Sequence, residues 1–208
     1  NEQEEEQSYI KAIEILEQTG ESLPLAMAYN NLSHLYLKKG EIEKGFEFLD
    51  EAKQIFESLD YPLGLSAYYS VLSVFYTDAN PPDYSKVIEY AALGAGIARQ
   101  QKSYMQYADL LYYLGNAYLQ TNQLPKAETT LKTAYDVASA NDLIFELSKI
   151  SKGLYNVYKE KGISDKALKY LEQHISLNDS ISNEEKIKEF TNLDLTFQFR
   201  QQTYQDSL

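Results

Sequence analysis

The sequence predicts an all-α fold: a solenoid of antiparallel helix pairs with a long C-terminal capping helix. Two observations carry this. The pairs Leu32–Tyr36, Leu72–Tyr76, Leu114–Tyr118 and Leu154–Tyr158 recur at separations of 40, 42 and 40 residues, so one unit is repeated. Within each unit the apolar and small residues sit three and four apart, the spacing of one face of an α-helix.

Taken in chain order, residues 2–18 read as the second helix of a truncated first unit. Ala12 precedes Leu32 by the same 20 residues that separate Ala52 from Leu72, Gly94 from Leu114 and Ala134 from Leu154. In the next unit, Leu32, Leu35 and Tyr36 share one face of a first helix. Gly40 ends that helix, because glycine tolerates the left-handed conformation of a helix C-terminus. Gly45, Leu49 and Ala52 then form the contact face of a second helix, where small residues permit close approach. The third unit opens at Pro62, tolerated in a first turn whose amides have no helical partner. Its Leu72, Ser73 and Tyr76 lead to Val87, Ala91 and Gly94, shifted by two residues. The shift falls at Ala79-Asn80-Pro81-Pro82-Asp83, where two prolines forbid helix and enlarge the turn.

The fourth unit repeats the pattern with Leu114, Gly115, Tyr118, Ala127, Leu131 and Ala134; Asn122 takes the place of the helix-ending glycine and Pro125 sits in the next first turn. The fifth has Leu154, Tyr155, Tyr158, Gly162, Ala167, Leu171 and His174. After Ser180 the pattern changes. Ser182-Asn183-Glu184-Glu185 reads as a capping box, followed by a helix to about Tyr204 with Ile187, Phe190, Leu193 and Phe197 on one stripe. The expected organisation is a solenoid over residues 1–180, with a partial unit at 1–20 and units at about 24–60, 61–102, 103–142 and 143–180. Residues 181–208 form the capping or linker helix.

Composition narrows the function. A net charge of −12 disfavours nucleic acid, which needs a basic surface. Residues 1–60 hold 14 acidic and 5 basic residues, whereas residues 149–172 hold 6 lysines and 3 acids. The absence of cysteine excludes disulfides and thiolate metal sites and suits an oxidising compartment. No stretch is apolar and long enough to span a membrane, and no signal peptide is visible. The two histidines, His34 and His174, lack zinc-ligand spacing. Gly94-Ala95-Gly96 falls inside a helix, where small-residue packing explains it. No catalytic, cofactor-binding or metal-binding constellation emerges, and the chain is read as no enzyme.

The repeated pattern (Leu, then a small residue, then Tyr, then small, large and small) resembles the tetratricopeptide repeat over residues 5–180, in a long-period form of 40–42 residues. The resemblance implies a right-handed superhelix whose first helices line a concave groove. Its groove positions fall on Asn30, Asn31, His34 and Lys38 in the second unit and on Ser70, Val74 and Asp78 in the third. They fall on Tyr112, Asn116 and Gln120 in the fourth, and on Lys149, Lys152, Asn156 and Lys159 in the fifth. The candidate partner-binding set is Asn30, His34, Tyr112, Asn116, Lys149, Lys152, Asn156 and Lys159. Asparagine can bond a peptide backbone through both donor and acceptor. Lys152 with Asn156 matches one element of a carboxylate clamp, although the earlier units lack the matching lysines. The implied ligand is a protein or an extended, partly acidic peptide, held by lysine–carboxylate contacts worth no more than about 1 kcal/mol each; the alternative is a solvated polar face.

The C-terminal stretch, with Asn183-Glu184-Glu185-Lys186, Phe190-Thr191, Leu193 and Phe197-Gln198-Phe199, resembles a linker of bacterial signalling proteins. In these, such repeats precede a coiled coil, a membrane helix and a histidine kinase, LytTR-type or nucleotide cyclase output. That resemblance implies a sensory or scaffolding domain of a two-component-type protein, periplasmic and membrane-anchored through segments absent here. Two alternatives stand beside it: a cytoplasmic receptor for peptide pheromones, and an assembly scaffold of a cell-surface complex. The stripe Phe190, Leu193, Phe197 and Tyr204 either pairs with a second copy in a homodimer or packs back on the array.

Overall fold

The computed structural model describes residues 2–183, and every regular element among them is α-helical. The helices are α1 (Glu2–Thr19), α2 (Ser22–Lys39), α3 (Ile42–Ser58), α4 (Pro62–Asp78), α5 (Tyr84–Gln100), α6 (Tyr104–Gln120), α7 (Leu124–Ala140) and α8 (Ile144–Glu160). A ninth, α9, runs from 164 to the end of the described residues at 183. Ser182, expected to cap the start of a new helix, lies inside α9, which is unbroken to 183; the rest of the capping box and the apolar stripe lie outside the described residues.

The chain divides into two compact units, the first ending at Asp142 and the second beginning at Leu143. In the first, each helix packs on its neighbours in sequence, and the first helices of successive repeats also touch, α2 with α4 and α4 with α6. The packing follows the repeat. Leu32, Leu35 and Tyr36 of α2 are buried with Ile13 of α1 and Ala28, against Tyr9 and Phe48. Leu37, Leu49, Val71 and Leu72 form the next cluster, flanked by Phe46, Phe75 and Tyr76. In the second unit Ile150, Leu154, Val157 and Tyr158 of α8 are buried.

Small residues set the closeness of these contacts. A Cβ placed on Gly45 would lie 2.5 Å from Leu37 Cδ2, and one on Gly115 would lie 2.5 Å from Leu131 Cγ. Both are well inside ordinary carbon–carbon contact of about 3.5–4.0 Å, so only glycine fits without a rearrangement.

The turns keep a strict beat. One residue adopts positive φ in seven connections: Gly20, Gly40, Asp60, Lys102, Asn122, Asp142 and Gly162. Gly40, Asn122 and Gly162 take the left-handed conformation that their residue types favour. Asp60, Lys102 and Asp142 adopt it too, although aspartate is only tolerant of it and lysine has no preference for it. The consensus tyrosine closes each hairpin through its backbone. Its carbonyl accepts the amide of Glu41 at 3.0 Å from Tyr36, of Gln123 at 2.8 Å from Tyr118 and of Ile163 at 2.9 Å from Tyr158. These are the long bonds of Schellman-type caps.

The eighth connection is the enlarged one. Five residues, 79–83, join α4 to α5, whereas 121–123 join α6 to α7. Tyr76 still closes it, its carbonyl accepting from Asp83 N at 3.0 Å. The two added residues are therefore extruded from an unchanged closure. Asp83 caps α5, its carboxylate accepting from Lys86 N at 3.2 Å and from Ser85 Oγ at 2.6 Å.

Candidate functional site

The enlarged turn borders a cavity among the described residues. It is a cleft of about 310 Å³ bounded by α2, α4, the start of α3 and residues Ala79 and Asn80. Its walls are apolar, from Leu37, Ile42, Val71, Val74 and Phe75, and its polar groups are His34, Lys38, Asp78 and Asn80. Local sequence explains the placement. His34 and Lys38 are one turn apart on α2, and Val74 and Asp78 hold the equivalent positions on α4, so two parallel stripes face each other. Phe75 is fixed edge-on by Phe46, with ring centroids 5.1 Å apart at 85°. A second recess of about 120 Å³, with Glu5, Tyr9 and Asn31, shares His34 and Lys38 as lining residues.

Electrostatics at the cleft centre on His34. The residue is exposed at the rim, but desolvation by the surrounding walls, followed by the nearby Lys38 ammonium, holds its pKa below the ordinary 6.5. The carboxylates of Asp78, Glu5 and Asp109 pull the other way and do not prevail. The imidazole is therefore neutral at neutral pH and offers one donor and one acceptor. On α6, Tyr113 has its phenol pushed well above the usual range by burial first and by Asp109 next.

The other residues picked from sequence occupy varied places. Asn30 is buried in α2, its carbonyl accepting from Ser33 Oγ at 2.7 Å, while its Oδ1 has no hydrogen-bond partner. Tyr112 and Asn116 are half-buried on α6, and the Tyr112 ring meets Tyr113 edge-on at 5.3 Å. Lys149, Lys152, Asn156 and Lys159 all lie on α8 in the second unit. Lys152 is exposed and Asn156 half-buried. The ammonium of Lys149 stands 5.4 Å from the Phe145 ring centre, and that of Lys159 6.0 Å from the Tyr155 ring centre. His174 accepts or donates at Ser148, with Nδ1 3.0 Å from the hydroxyl and 2.9 Å from the carbonyl oxygen.

The structure thus gathers His34, Lys38, Val74 and Asp78 around one cleft. Sequence reasoning missed Leu37, Ile42 and Phe75, and placed Asn80 only in the enlarged turn, without a role in a site. The two-residue insertion was the available signal for Asn80, and Phe75, beside the repeat tyrosine, was masked by its packing role. Among the described residues, no group of three or more His, Asp or Glu side chains is placed to hold a metal ion. Also among them, no helix is long and apolar enough to cross a membrane.

Residues 26–58 match the tetratricopeptide-repeat family model. No curated protein sequence matches the chain significantly. Aspartyl phosphate phosphatase F from Bacillus subtilis is similar in structure, with a TM-score of 0.72 at 17% identity over 88% of this chain and 47% of its own. So is a Signal Transduction ATPase with Numerous Domains from Pyrococcus horikoshii that carries a tetratricopeptide repeat sensor. Its TM-score is 0.67 at 19% identity, over 86% of this chain and 28% of its own. The chain therefore spans about half the length of the first and about a quarter of the second. It has the tetratricopeptide-repeat fold, an all-α array of helix pairs, which is the architecture of protein-interaction modules.

Proposed function

We propose that the protein is a non-enzymatic peptide- or protein-binding domain, acting as the sensory or scaffolding part of a signalling protein. The cleft between α2 and α4 carries this reading. Apolar walls with a few converging polar groups are the usual make-up of a binding pocket, and about 310 Å³ suits one large side chain of a ligand. An apolar residue of an extended segment enters between Val74 and Phe75. Neutral His34 and Asn80 bond its backbone, and Lys38 and Asp78 select the charge of its neighbours. The likeness to a signal-transduction ATPase that carries a tetratricopeptide repeat sensor supports the wider role.

On this reading the lysines and Asn156 of α8 form a separate, weak contact site for acidic ligands within the second unit, and the domain is extracytoplasmic. Fluorescence anisotropy with labelled octapeptides of varied charge and one central apolar residue tests the cleft. Binding that is abolished by Val74→Trp, which fills the cavity, agrees with it; binding indifferent to that change rules the cleft out. The pair Lys152→Ala and Asn156→Ala should weaken only acidic peptides, and more so at low salt.

A further inference from the structure

The four repeat tyrosines allow a comparison within one chain. Tyr36 stacks on Phe48 with ring centres 5.7 Å apart at 12°. Tyr76 stacks on Tyr90 at 5.7 Å and 25°, and Tyr158 on Tyr170 at 5.6 Å and 4°. Each of these tyrosines also receives a lysine: Lys44 at 4.5 Å from the Tyr36 ring centre, Lys86 at 4.4 Å from Tyr76 and Lys166 at 5.1 Å from Tyr158. The tyrosine therefore holds a cation and a second ring at the same time.

Tyr118 keeps the lysine but, among the described residues, has no stacked ring. Lys126 stands 5.2 Å from its ring centre. The position twelve residues on, occupied by Phe48 after Tyr36 and by Tyr170 after Tyr158, is Thr130. At that place the surface has a shallow, largely open depression of about 340 Å³ lined by Tyr118, Pro125, Lys126, Thr129 and Thr130. Because the other three units hold cation and ring together, Lys126 leaves the stacking place vacant.

The geometry points to this recess as a docking slot for an aromatic side chain of a partner protein, phenylalanine or tyrosine, stacked on Tyr118. The occupant follows from the chain's own precedent: three equivalent tyrosines hold an aromatic ring supplied in cis. Lys126 at the rim favours a carboxylate beside the incoming ring. Stacking of this kind adds a modest term to the area buried, so the slot adds selectivity to a wider interface. It shares no residue with the cleft at His34 and is independent of it.

The test uses the full chain, a blocked glutamate–phenylalanine–glutamate tripeptide and its alanine counterpart, with the methyl resonances of Thr129 and Thr130 as the readout. The phenylalanine peptide should shift both methyls saturably, and the alanine peptide should not. Thr130→Phe supplies the missing ring in cis and should weaken binding, read at the Thr129 methyl, about tenfold or more, while Val74→Trp, which lies outside the slot, leaves it unchanged. Tyr118→Leu should abolish it. Equal shifts with the alanine peptide, or undiminished binding by Thr130→Phe, would overturn the proposal. A Thr130→Phe chain that fails to fold would also overturn it, since the four places would then not be equivalent. Shifts that grow with protein concentration alone would assign the slot to a second copy and defeat the partner reading.

Discussion

Gly64 and Gly96 both lie in helices of the first compact unit, and alanine should act on them with opposite signs. A Cβ on Gly64 would fall 2.1 Å from Cδ1 and 2.4 Å from Cγ of Phe56. Ordinary contact is about 3.5–4.0 Å, so the ring would have to retreat by more than an ångström. It has nowhere to go, because Phe56 is fully buried against Ala26 and Ala52. Overpacking of this kind costs about 1–3 kcal/mol, partly offset by the roughly 0.5–1 kcal/mol that alanine gains over glycine in a helix. The net expectation is a loss of about 1–2 kcal/mol. A Cβ on Gly96, in α5, would meet nothing within 4 Å. There the helical gain stands alone, about 0.5–1 kcal/mol. With a urea m-value of about 2 kcal/mol/M, the two midpoints should separate by about 1 M, one on each side of the unsubstituted protein. A Gly64→Ala midpoint at or above that of the unsubstituted chain, at unchanged m, would refute the close-contact argument.

Three further outcomes follow from the same contacts. Leu131→Ala empties a fully buried position against Gly115 and should cost about 2–5 kcal/mol in urea unfolding. Glu6 on α1 accepts from Lys39 and from Tyr36 Oη, at 2.9 Å for the latter, and Lys39 first and Tyr36 next hold its carboxyl below the ordinary 4.5. Its contribution is therefore present above pH 4.5 and lost as pH falls through the folded value, so α1 amides should lose exchange protection in acid, and Glu6→Gln should flatten that dependence. Burial first and the Asp50 carboxylate next push the Tyr68 phenol up to about 12, so the stability it supplies is present below pH 10 and lost as pH rises toward 12; absorbance at 295 nm should show late ionisation whose amplitude falls by one tyrosine in Tyr68→Phe.

The fold was legible because the repeat states itself several times over. Leu32 and Tyr36, with Gly45, Leu49 and Ala52 behind them, specify one hairpin, and offsets of 40 and 42 residues copy it. The turns were legible where chemistry and geometry agree, at Gly40, Asn122 and Gly162. They were not at Lys102, where position in the 20-residue beat overrides a side chain with no turn preference. The lysines over the tyrosine rings stood in plain view eight residues after Tyr36, Tyr118 and Tyr158, yet nothing in a helix requires a cation there, and only the folded hairpin brings the two together. The cleft was half legible. His34, Lys38, Val74 and Asp78 followed from the resemblance to the tetratricopeptide repeat, but every unit offers such a stripe. Spacing does not say which stripe gains walls.

What singles out the stripe at His34 is the turn after Asp78, and that can be tested by removing it. Because the Tyr76 carbonyl bonds the last residue before α5, as the Tyr118 carbonyl bonds Gln123, the hairpin needs only three connecting residues. Replacing residues 79–83 with the threonine–asparagine–glutamine of residues 121–123 should therefore preserve folding, at the cost of the Asp83 cap on α5. It would remove Ala79 and Asn80 from the cleft. Peptide affinity there should fall about tenfold, equivalent to the loss of about 1.4 kcal/mol, while ring binding at Tyr118 is unchanged. Urea unfolding with the original m-value together with undiminished peptide affinity would show that the insertion is only tolerated. The opposite result, a folded chain with a selectively weakened cleft, makes the two extra residues the feature that turns one of several equivalent hairpins into a binding site.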